Sequence, residues 1–544
     1  MKIALSQLNF HIGNFEQNKA KIISAIHRAE QEGADIVVFS ELAIAGYPPR
    51  DFLEFRDFVN KGLQAVDEIA TYCSKVAAIV GVPTYNPHKK GKPLYNSAAF
   101  LYQGKVQKVI HKALLPNYDI FDEYRYFEPN SKFEIIDFKE KKIALTICED
   151  IWDVDKSPLY TINPMDELMA FSPDIMINIA ASPFNYRQAV IREGVLRRNT
   201  EKYHLPLFYV NHVGAQTEIL FDGGSLVLNS QSKTVDVMNY FEEDFRLYDL
   251  DEVEKAESTE IPRPSEVALI HDALVMGIRN YFEKLGFTKA ILGLSGGIDS
   301  AVTSVLAAGA LGNENVYNVL LPSEFSSAHS ISDSLQLVKN LQMPHDTIPI
   351  EKSFNTFNDT LKPYFKGLPF NIAEENLQAR IRGVILMALS NKFGYILLNT
   401  SNKSEAAVGY GTLYGDMNGG LSVLGDVYKT RVFELAHYIN RDKEIIPENI
   451  ITKPPSAELR PGQKDSDSLP DYDILDEILY QYIEKRLGPD EIVVLGYDEK
   501  LVKRILRLVN INEYKRYQTP PMLRVSGKAF GMGRRMPIVA KYLS

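Results

Sequence analysis

A glycine-rich turn between a short apolar strand and a helix of small residues constrains the fold more than any other part of this sequence. Residues 290–294 read AILGL, residues 295–300 read SGGIDS, and residues 301–310 read AVTSVLAAGA. A buried strand that passes through a tight turn into a helix is the repeating unit of parallel α/β sheets. Further strands are predicted at residues 316–321 and 395–399. We therefore expect a doubly wound parallel sheet in this part of the chain.

The turn also has the composition of a phosphate-binding loop. Its glycines allow main-chain N–H groups to approach phosphate oxygens, and the start of the next helix adds partial positive charge. Its serines can donate to the same oxygens, but Asp299 would repel a polyanion unless a magnesium ion lay between them. The Lys-Ser/Thr pair of a Walker A loop is absent, which excludes the usual kinase and GTPase loop. The alternative is a strand–turn–helix that binds no ligand.

The first half of the chain combines strands and helices in a different order. Residues 16–32 form a predicted amphipathic helix that ends at Gly33. Eight apolar segments rich in β-branched or aromatic residues are predicted strands: 3–9, 35–40, 77–82, 98–102, 106–111, 143–147, 175–179 and 207–210. Strands that alternate with helices, together with strands that follow each other directly, indicate a layered α/β sandwich.

The chain length requires more than one hydrophobic core, since 544 residues exceed the size of an ordinary domain. Residues 249–266, DLDEVEKAESTEIPRPSE, are acidic, contain two prolines and show no apolar periodicity. This segment is predicted to be a linker or an excursion at the edge of the domain, with the domain boundary near Pro262–Ser265. The predicted domains are residues 1–258 and 265–544.

Composition narrows the class of protein. Hydrophobic residues make up 45% and charged residues 24%, which is typical of a globular protein. The net charge of −10 argues against a protein that grips a nucleic-acid backbone. No apolar run is long enough for a membrane span, and two cysteines provide no disulfide framework. We expect a cytoplasmic enzyme with neither nucleic-acid nor membrane partners.

Three reactive side chains follow predicted strands in the first half. Glu41 ends IVVFSE, Lys112 ends VQKVIHK, and Cys148 follows IALTI. A lysine ammonium favours a thiolate and stabilises an oxyanion, while a carboxylate carries protons as general base and acid. If the strand ends converge, the three residues suit amide hydrolysis by a thiol. The alternative is a buried structural cysteine, which is the role predicted for Cys73.

The sequence around these three residues resembles the nitrilase/amidase superfamily. The motifs FSE, HK followed by LPNY, and CED carry the resemblance. It covers residues 1–258 and implies an αββα sandwich. It also implies a Glu41–Lys112–Cys148 triad that hydrolyses an amide through a thioester intermediate.

One segment, LPNYDIFDEYRYF, is closer still to the glutaminase domain of the glutamine-dependent NAD synthetase family. This likeness implies that Tyr118 and Ser182 bind glutamine. It also implies that Glu123 is a second active-site carboxylate.

The sequence after Ser182 departs from the family pattern. Family members often read SPxxxGK, with a lysine six residues after the serine, whereas this chain reads SPFNYRQ. The basic residue is therefore either shifted to Arg187 or replaced by Gln188. Gln188 is the glutamine-binding candidate at that position.

The glycine-rich turn resembles the signature of the ATP pyrophosphatase family, whose members cleave ATP to AMP and pyrophosphate while adenylating a substrate. Downstream, the motifs NLQARIR, NTSNKSE, YGD, DVYKT and PSAELRPGQ resemble the NAD synthetase family. The implied ATP-binding residues are Ser295, Gly296, Gly297, Asp299, Ser300 and Thr400. The implied deamido-NAD-binding residues are Asn376, Glu405 and Lys515. Asp299 and Glu405 are also implied as magnesium ligands.

Some of these residues have simpler interpretations. Glu405 could be a charge at a helix N-terminus, and Lys515 an exposed cation. Residues 455–470, rich in proline, serine and charge, have no packing pattern and are predicted to form a lid over the substrates.

Together the resemblances imply an enzyme that amidates deamido-NAD with ammonia released from glutamine. It would consume ATP with magnesium and release AMP, pyrophosphate and glutamate. Two other classes of protein are alternatives. An amidase with a ligand-sensing second domain would require a broken SGGIDS loop, whereas the loop is intact. An RNA-thiolating enzyme would require a basic surface, whereas the chain is net acidic. The resemblance of the second domain further implies a homo-oligomer, at least a dimer.

Overall fold

The structure is a computed structural model that describes residues 1–154, 159–257, 263–463, 465–467 and 469–543. The chain forms two compact units, residues 1–264 (unit 1) and 265–544 (unit 2). Ser258, the predicted end of the first domain, and Pro262, at the predicted boundary, lie outside the described residues.

Unit 1 contains two six-stranded sheets. Its strands are, in chain order, β1 (Lys2–Gln7), β2 (Ile36–Val38), β3 (Ala77–Tyr85), β4 (Leu94–Tyr102), β5 (Lys105–His111), β6 (Ile136–Phe138), β7 (Lys141–Ile147), β8 (Ile175–Ala180), β9 (Leu207–Asn211), β10 (Val213–Gln216), β11 (Ile219–Asp222), β12 (Leu226–Leu228), β13 (Thr234–Val237) and β14 (Asp244–Asp249). The first sheet has the order β14-β1-β2-β3-β4-β5 and the second β13-β12-β9-β8-β7-β6, while β10 and β11 form a hairpin.

Five helices pack against the two sheets among the described residues. They are α1 (Phe15–Gln31), α2 (Arg56–Ala70), α3 (Pro164–Leu168), α4 (Gln188–Tyr203) and α5 (Leu250–Lys255). Helices α1 and α2 pack on the first sheet, and α3 and α4 on the second. Successive side chains of β1 point to opposite faces of the sheet. Ile3 and Leu5 lie in the core between the sheets, whereas Ala4 packs with α1 and α2 on the other face. The predicted αββα sandwich is confirmed.

Unit 2 is built on one parallel sheet. Its strands are β15 (Ala290–Gly293), β16 (Val316–Leu320), β17 (His345–Thr347), β18 (Ile396–Asn399) and β19 (Leu421–Ser422). Their order is β17-β16-β15-β18-β19, and each neighbouring pair is parallel. The strand order reverses between β15 and β18, where a doubly wound sheet opens a crevice at the carboxyl ends of its strands. The predicted doubly wound parallel sheet is confirmed.

The helices of unit 2 lie on the faces of this sheet and in a C-terminal cluster. They are α6 (Glu266–Leu285), α7 (Ile298–Leu311), α8 (Ala328–Asn340), α9 (Glu351–Phe365), α10 (Ile372–Phe393), α11 (Lys403–Val408), α12 (Lys429–Ile439), α13 (Glu448–Thr452), α14 (Tyr472–Ile483), α15 (Pro489–Val494), α16 (Glu499–Ile511) and α17 (Glu513–Arg516). Among the described residues, no helix is both long enough and apolar enough to cross a bilayer.

Part of the predicted linker is regular structure. Residues 250–255 form α5, which begins after the Asp249 cap and buries Leu250 and Val253. Strand β14, directly before it, pairs antiparallel with β1. The prediction of a linker from Asp249 was therefore wrong for residues 249–255, because Leu250 and Val253, three positions apart, anchor a short helix.

Candidate active sites

Cys148 lies at a sharp turn in unit 1. Strand β7 ends at Ile147, and Cys148 begins a short 3₁₀ helix with φ of +45°. A non-glycine residue with positive φ is uncommon and is often found at functional sites. The residue is 3% exposed, and Asn178 on β8 donates to its carbonyl oxygen at 3.4 Å. The turn therefore holds a buried thiol at the end of β7.

Lys112 lies between two carboxylates. Its Nζ donates to Glu41 Oε1 at 2.6 Å and to Glu123 Oε1 at 2.9 Å. Lys112 follows β5, Glu41 follows β2, and Glu123 lies in a 3₁₀ helix at 123–125. The Lys112 and Glu41 side chains are fully buried and that of Glu123 is 6% exposed. The structure thus brings the predicted carboxylates and lysine together in a buried cluster.

The cluster and the thiol influence each other's ionisation. Burial and then Glu41 raise the pKa of the Cys148 thiol well above its ordinary value, with Lys112 opposing the shift. Burial opposes the charge on Lys112, but Glu123 and Glu41 hold its pKa well above the ordinary value. Burial also raises the pKa of Glu123 to about 7, again against Lys112. The resting thiol is therefore neutral and needs a neighbouring base to become a nucleophile.

Two of the predicted glutamine-binding residues lie beside this cluster. The Tyr118 hydroxyl donates to both oxygens of Glu149 at 2.9 and 3.1 Å, and Glu149 is the residue after the thiol. Ser182 follows Ala181, whose main-chain N–H donates to Glu41 Oε2 at 3.0 Å. Ser182 is 3% exposed and donates its own main-chain N–H to Asn211 Oδ1 at 2.8 Å.

Gln188 lies farther along the same segment, as the first residue of α4. Its side-chain oxygen accepts from Asn185 Nδ2 at 2.9 Å. Arg187 is exposed and its guanidinium lies 5.5 Å from the Tyr186 ring centroid. These contacts place neither side chain at Cys148, so the choice between Arg187 and Gln188 stays a prediction.

Sequence reasoning missed several members of the unit 1 site. Asn96 on β4 donates to Glu41 Oε1 at 2.7 Å, and the Tyr47 hydroxyl donates to Glu123 Oε1 at 2.7 Å. Asp150 accepts from the main-chain N–H groups of 113, 114 and 147 and so ties the Lys112 loop to the Cys148 turn. The position of Glu149 next to the thiol could have identified it from the sequence. Nothing in the sequence around Asn96 or Tyr47 indicates their place in the site.

In unit 2 the SGGIDS loop borders a cavity of about 580 Å³ at the carboxyl ends of β15 and β18. Ser295, Gly297, Asp299, Ser300 and Thr400 line it. Gly296 supports the loop instead, because its φ is +81° and a Cβ there would lie 2.4 Å from the carbonyl oxygen of residue 330. The turn and the start of α7 thus face a cavity large enough for a nucleotide.

Lys429 is the charged centre of this cavity. Its Nζ donates to Asp299 Oδ2 at 2.5 Å and lies 3.5 Å from Glu405 Oε1. Burial opposes its charge, but Asp299 and Glu405 raise its pKa above the ordinary value. Burial and Asp299 in turn raise the pKa of Glu405 to about 8. Lys429 therefore lies between the two carboxylates that were predicted as metal ligands, although sequence reasoning assigned it no role.

The carboxylates of Asp299 and Glu405 have the chemistry of magnesium ligands. Both carboxylates lie on one ammonium, so both are within reach of one cation. Magnesium prefers oxygen ligands and commonly takes several from substrate phosphates and water. Among the described residues, no group of three or more His, Cys, Asp or Glu could hold a metal by itself.

Asn376 and Lys515 converge on the loop after α11. Lys515 Nζ donates to the carbonyl oxygens of Gly409 and Gly411 at 2.8 Å each. Asn376 Oδ1 accepts from the Thr412 hydroxyl at 2.8 Å. The interpretation of Lys515 as an exposed cation is wrong, because it is partly buried and bonded. Glu405 is both a helix N-terminal charge and a cavity residue.

The predicted lid contributes to the cavity wall. Residues 454–460, 462, 463 and 465 line the cavity, while Lys464 and Ser468 lie outside the described residues. Glu458 accepts from the Ser327 hydroxyl at 2.7 Å and the Ser330 hydroxyl at 2.8 Å, both at the start of α8. These bonds hold the segment against the cavity.

Comparisons with known proteins agree with this two-site arrangement. A carbon-nitrogen hydrolase model matches residues 2–256, and an NAD synthase model matches residues 270–519. The glutamine-dependent NAD(+) synthetase of Synechocystis sp. is 45% identical over 551 residues, covering 99% of each chain. The chain belongs to the glutamine-dependent NAD(+) synthetase family.

Other members of the family support the same placement. The glutamine-dependent NAD(+) synthetase of Thermotoga maritima is 40% identical and covers 100% of this chain and 99% of its own. A solved structure of the Acinetobacter baumannii enzyme in complex with adenosine diphosphate is 39% identical, with a TM-score of 0.78 over 99% of this chain and 98% of that one. The resemblance inferred from the motifs is therefore confirmed. The roles of single residues stay predictions for this member of the family.

Proposed function

We propose that this member of the glutamine-dependent NAD(+) synthetase family amidates deamido-NAD to NAD. Ammonia released from glutamine in unit 1 is consumed in unit 2, with ATP converted to AMP and pyrophosphate. The observation that carries the proposal is that one chain holds both a buried thiol beside a Lys-carboxylate cluster and a nucleotide-sized cavity at an SGGIDS loop.

In unit 1, Cys148 is the nucleophile and Glu41 the general base. Glu41 takes the thiol proton, the thiolate attacks the glutamine amide carbon, and Lys112 stabilises the negative charge that develops on the amide oxygen. Glu41 returns the proton to the leaving nitrogen, which departs as ammonia. Water activated by the same carboxylate then cleaves the thioester to glutamate and the free thiol. Tyr118, Ser182 and Gln188 position the glutamine.

In unit 2, the carboxylate of the nicotinate ring attacks the α-phosphorus of ATP, and pyrophosphate leaves. Ammonia then attacks the adenylated carbonyl, and AMP leaves. The hydroxyls of Ser295 and Ser300 and the N–H group of Gly297 bind the departing phosphates, and Gly296 shapes the turn that presents them. The ammonium of Lys429 stabilises the charge that grows on them.

The remaining predicted residues place the two substrates. Thr400 contacts ATP, while Asn376, Glu405 and Lys515 contact deamido-NAD. Asp299 and Glu405 would hold magnesium, which supplies positive charge to the phosphates when bound. We further infer a cytoplasmic homo-oligomer, at least a dimer.

The function is tested by pyrophosphate release from labelled ATP. We expect release with deamido-NAD plus glutamine or ammonium, together with equal amounts of NAD and AMP. Nicotinate alone, or a transfer RNA, should give none. Release that ignores deamido-NAD would contradict the synthetase function, and release stimulated by transfer RNA would favour a thiolating enzyme.

The division of labour predicts that unit 2 works without unit 1. Residues 265–544 expressed alone should keep ammonium-dependent NAD synthesis and lose glutamine-dependent synthesis, because the loop and the deamido-NAD candidates all lie after Ser265. Circular dichroism and thermal unfolding would check that the fragment is folded. A folded fragment that is inactive with saturating ammonium would contradict this division.

A further inference from the structure

The two carboxylates of the unit 1 cluster share one neutral donor. Asn96 Nδ2 donates to Glu41 Oε1 at 2.7 Å and lies 3.4 Å from Glu123 Oε2. Its side chain is fully buried on β4. Among the described residues, no other uncharged side chain is hydrogen-bonded to both carboxylates. Asn96 therefore joins the groups that flank Lys112.

The orientation of the Asn96 amide has a cost. Its Oδ1 is buried and has no hydrogen-bond partner among the described residues. Leaving a buried acceptor unpaired destabilises the folded state, so such a group requires an explanation. The explanation lies on the other side of the amide, because carboxylate oxygens accept and require the NH₂ group to face them. The contact with the carboxylates thus outweighs an unsatisfied oxygen.

Asn96 is also joined to Lys112 through the main chain. The N–H of Lys112 donates to the Asn96 carbonyl oxygen at 2.8 Å, which extends the pairing of β4 with β5. One residue therefore fixes the lysine through its backbone and both carboxylates through its side chain. A shift of Asn96 would alter every distance in the cluster.

The single ammonium of Lys112 does not balance the charges of two carboxylates. Two carboxylates face one ammonium in a buried site, and like charges at close range repel. An amide NH₂ adds positive partial charge to both carboxylates without adding a titrating group. It also keeps Glu41 and Glu123 at a fixed separation while a proton moves between Glu41, the thiol and ammonia.

We propose that Asn96 is a positioning residue for glutamine hydrolysis, holding Glu41 and Glu123 on either side of Lys112 and keeping Glu41 in place as the base. This inference rests on the proposed glutaminase function of unit 1. Asn96 contacts the cluster and is assigned no contact with glutamine, so its loss should lower kcat and leave the glutamine KM nearly unchanged.

The test compares two substitutions of opposite kind in the full chain. Asn96→Ala removes the donor and leaves a small space, whereas Asn96→Asp keeps the shape and replaces the donor with an acceptor. Because general acid–base catalysis contributes about 10²–10⁴-fold, we expect Asn96→Ala to lower kcat for glutamate release by roughly 10–100-fold. Asn96→Asp should lower it further, since it places a third carboxylate beside the other two.

The relative kcat values of the two variants distinguish a positioning role from a packing role. A packing role predicts that the isosteric substitution Asn96→Asp is tolerated better than Asn96→Ala, and that result would overturn the proposal. An unchanged kcat, or a KM effect that exceeds the kcat effect, would also overturn it. If Asn96→Asp fails to fold, the kcat and KM of Asn96→Ala decide alone.

Matched controls separate this inference from the proposed function. Asn229 is equally buried in unit 1, at the turn between β12 and β13, and its substitution by alanine should leave glutamate release within about twofold. Ammonium-dependent NAD synthesis should stay at the parent rate in every variant. A parent enzyme without glutaminase activity would refute the function of unit 1, whereas an active parent with fully active Asn96 variants would refute the positioning role.

Discussion

Replacement of Cys148 by alanine is expected to abolish glutamine-dependent NAD synthesis and to leave ammonium-dependent synthesis near the parent rate. The thiol is the proposed nucleophile, and without it Glu41 and Lys112 have no group to activate. The substitution removes one sulfur atom from a buried turn, so the fold of unit 1 should persist. Glutamate release and NAD formation are measured separately, with each nitrogen source in turn.

Cys73 provides the matched control for this experiment. It is also buried in unit 1, and burial raises the pKa of its thiol to about 12. Cys73→Ala should keep glutamine-dependent synthesis. Equal loss of both nitrogen sources in Cys148→Ala would assign that residue a structural role, and persistent glutamate release would move the nucleophile elsewhere.

Asp299→Asn is expected to lower NAD synthesis from glutamine and from ammonium by the same factor. The substitution keeps the shape of the side chain but removes the charge that faces Lys429 at 2.5 Å. It would also remove one of the two predicted magnesium ligands. Loss of one transition-state electrostatic contact costs about 3–4 kcal/mol, or roughly 10²–10³-fold in rate. Initial rates at saturating magnesium measure the effect.

A charge change outside the cavity tests the specificity of this effect. Asp359 is exposed on α9, and Asp359→Asn makes the same change in net charge. It should leave both rates unaltered, and glutamate release should survive in both variants. Near-parent synthesis by Asp299→Asn with ammonium would remove Asp299 from the reaction, whereas a marked fall in thermal unfolding temperature would indicate a structural role.

The sequence was most informative where local chemistry determines structure. Strand β7 and its terminal Cys148, or β15 and the SGGIDS turn, could be located because apolar runs end at residues with unusual backbone or chemical demands. The convergence of Glu41, Lys112 and Cys148 followed from their positions at strand ends. Both folds were predicted from the order of such elements and from family resemblance.

Other parts of the sites depend on contacts between distant residues. Lys429 meets Asp299 across 130 positions, and Asn96 meets Glu41 across 55. The neighbouring sequence of a lysine at the start of a helix, or of an asparagine within a strand, does not indicate such a role. The short strands β17 and β19 were missed for a related reason, since three and two residues are too few to show a periodicity.

The Glu41–Lys112–Glu123 cluster also limits how this site can change during evolution. Loss of one of the three side chains leaves an uncompensated charge in a buried site. Breaking a buried ion pair costs about 3–5 kcal/mol of folding stability. That cost approaches the whole stability of many domains, about 5–15 kcal/mol. A single substitution of Glu41, Lys112 or Glu123 therefore destabilises the fold, even in a lineage that no longer needs glutamine hydrolysis. We expect descendants that lose the thiol to keep the three charges, and descendants that lose the charges to replace them together.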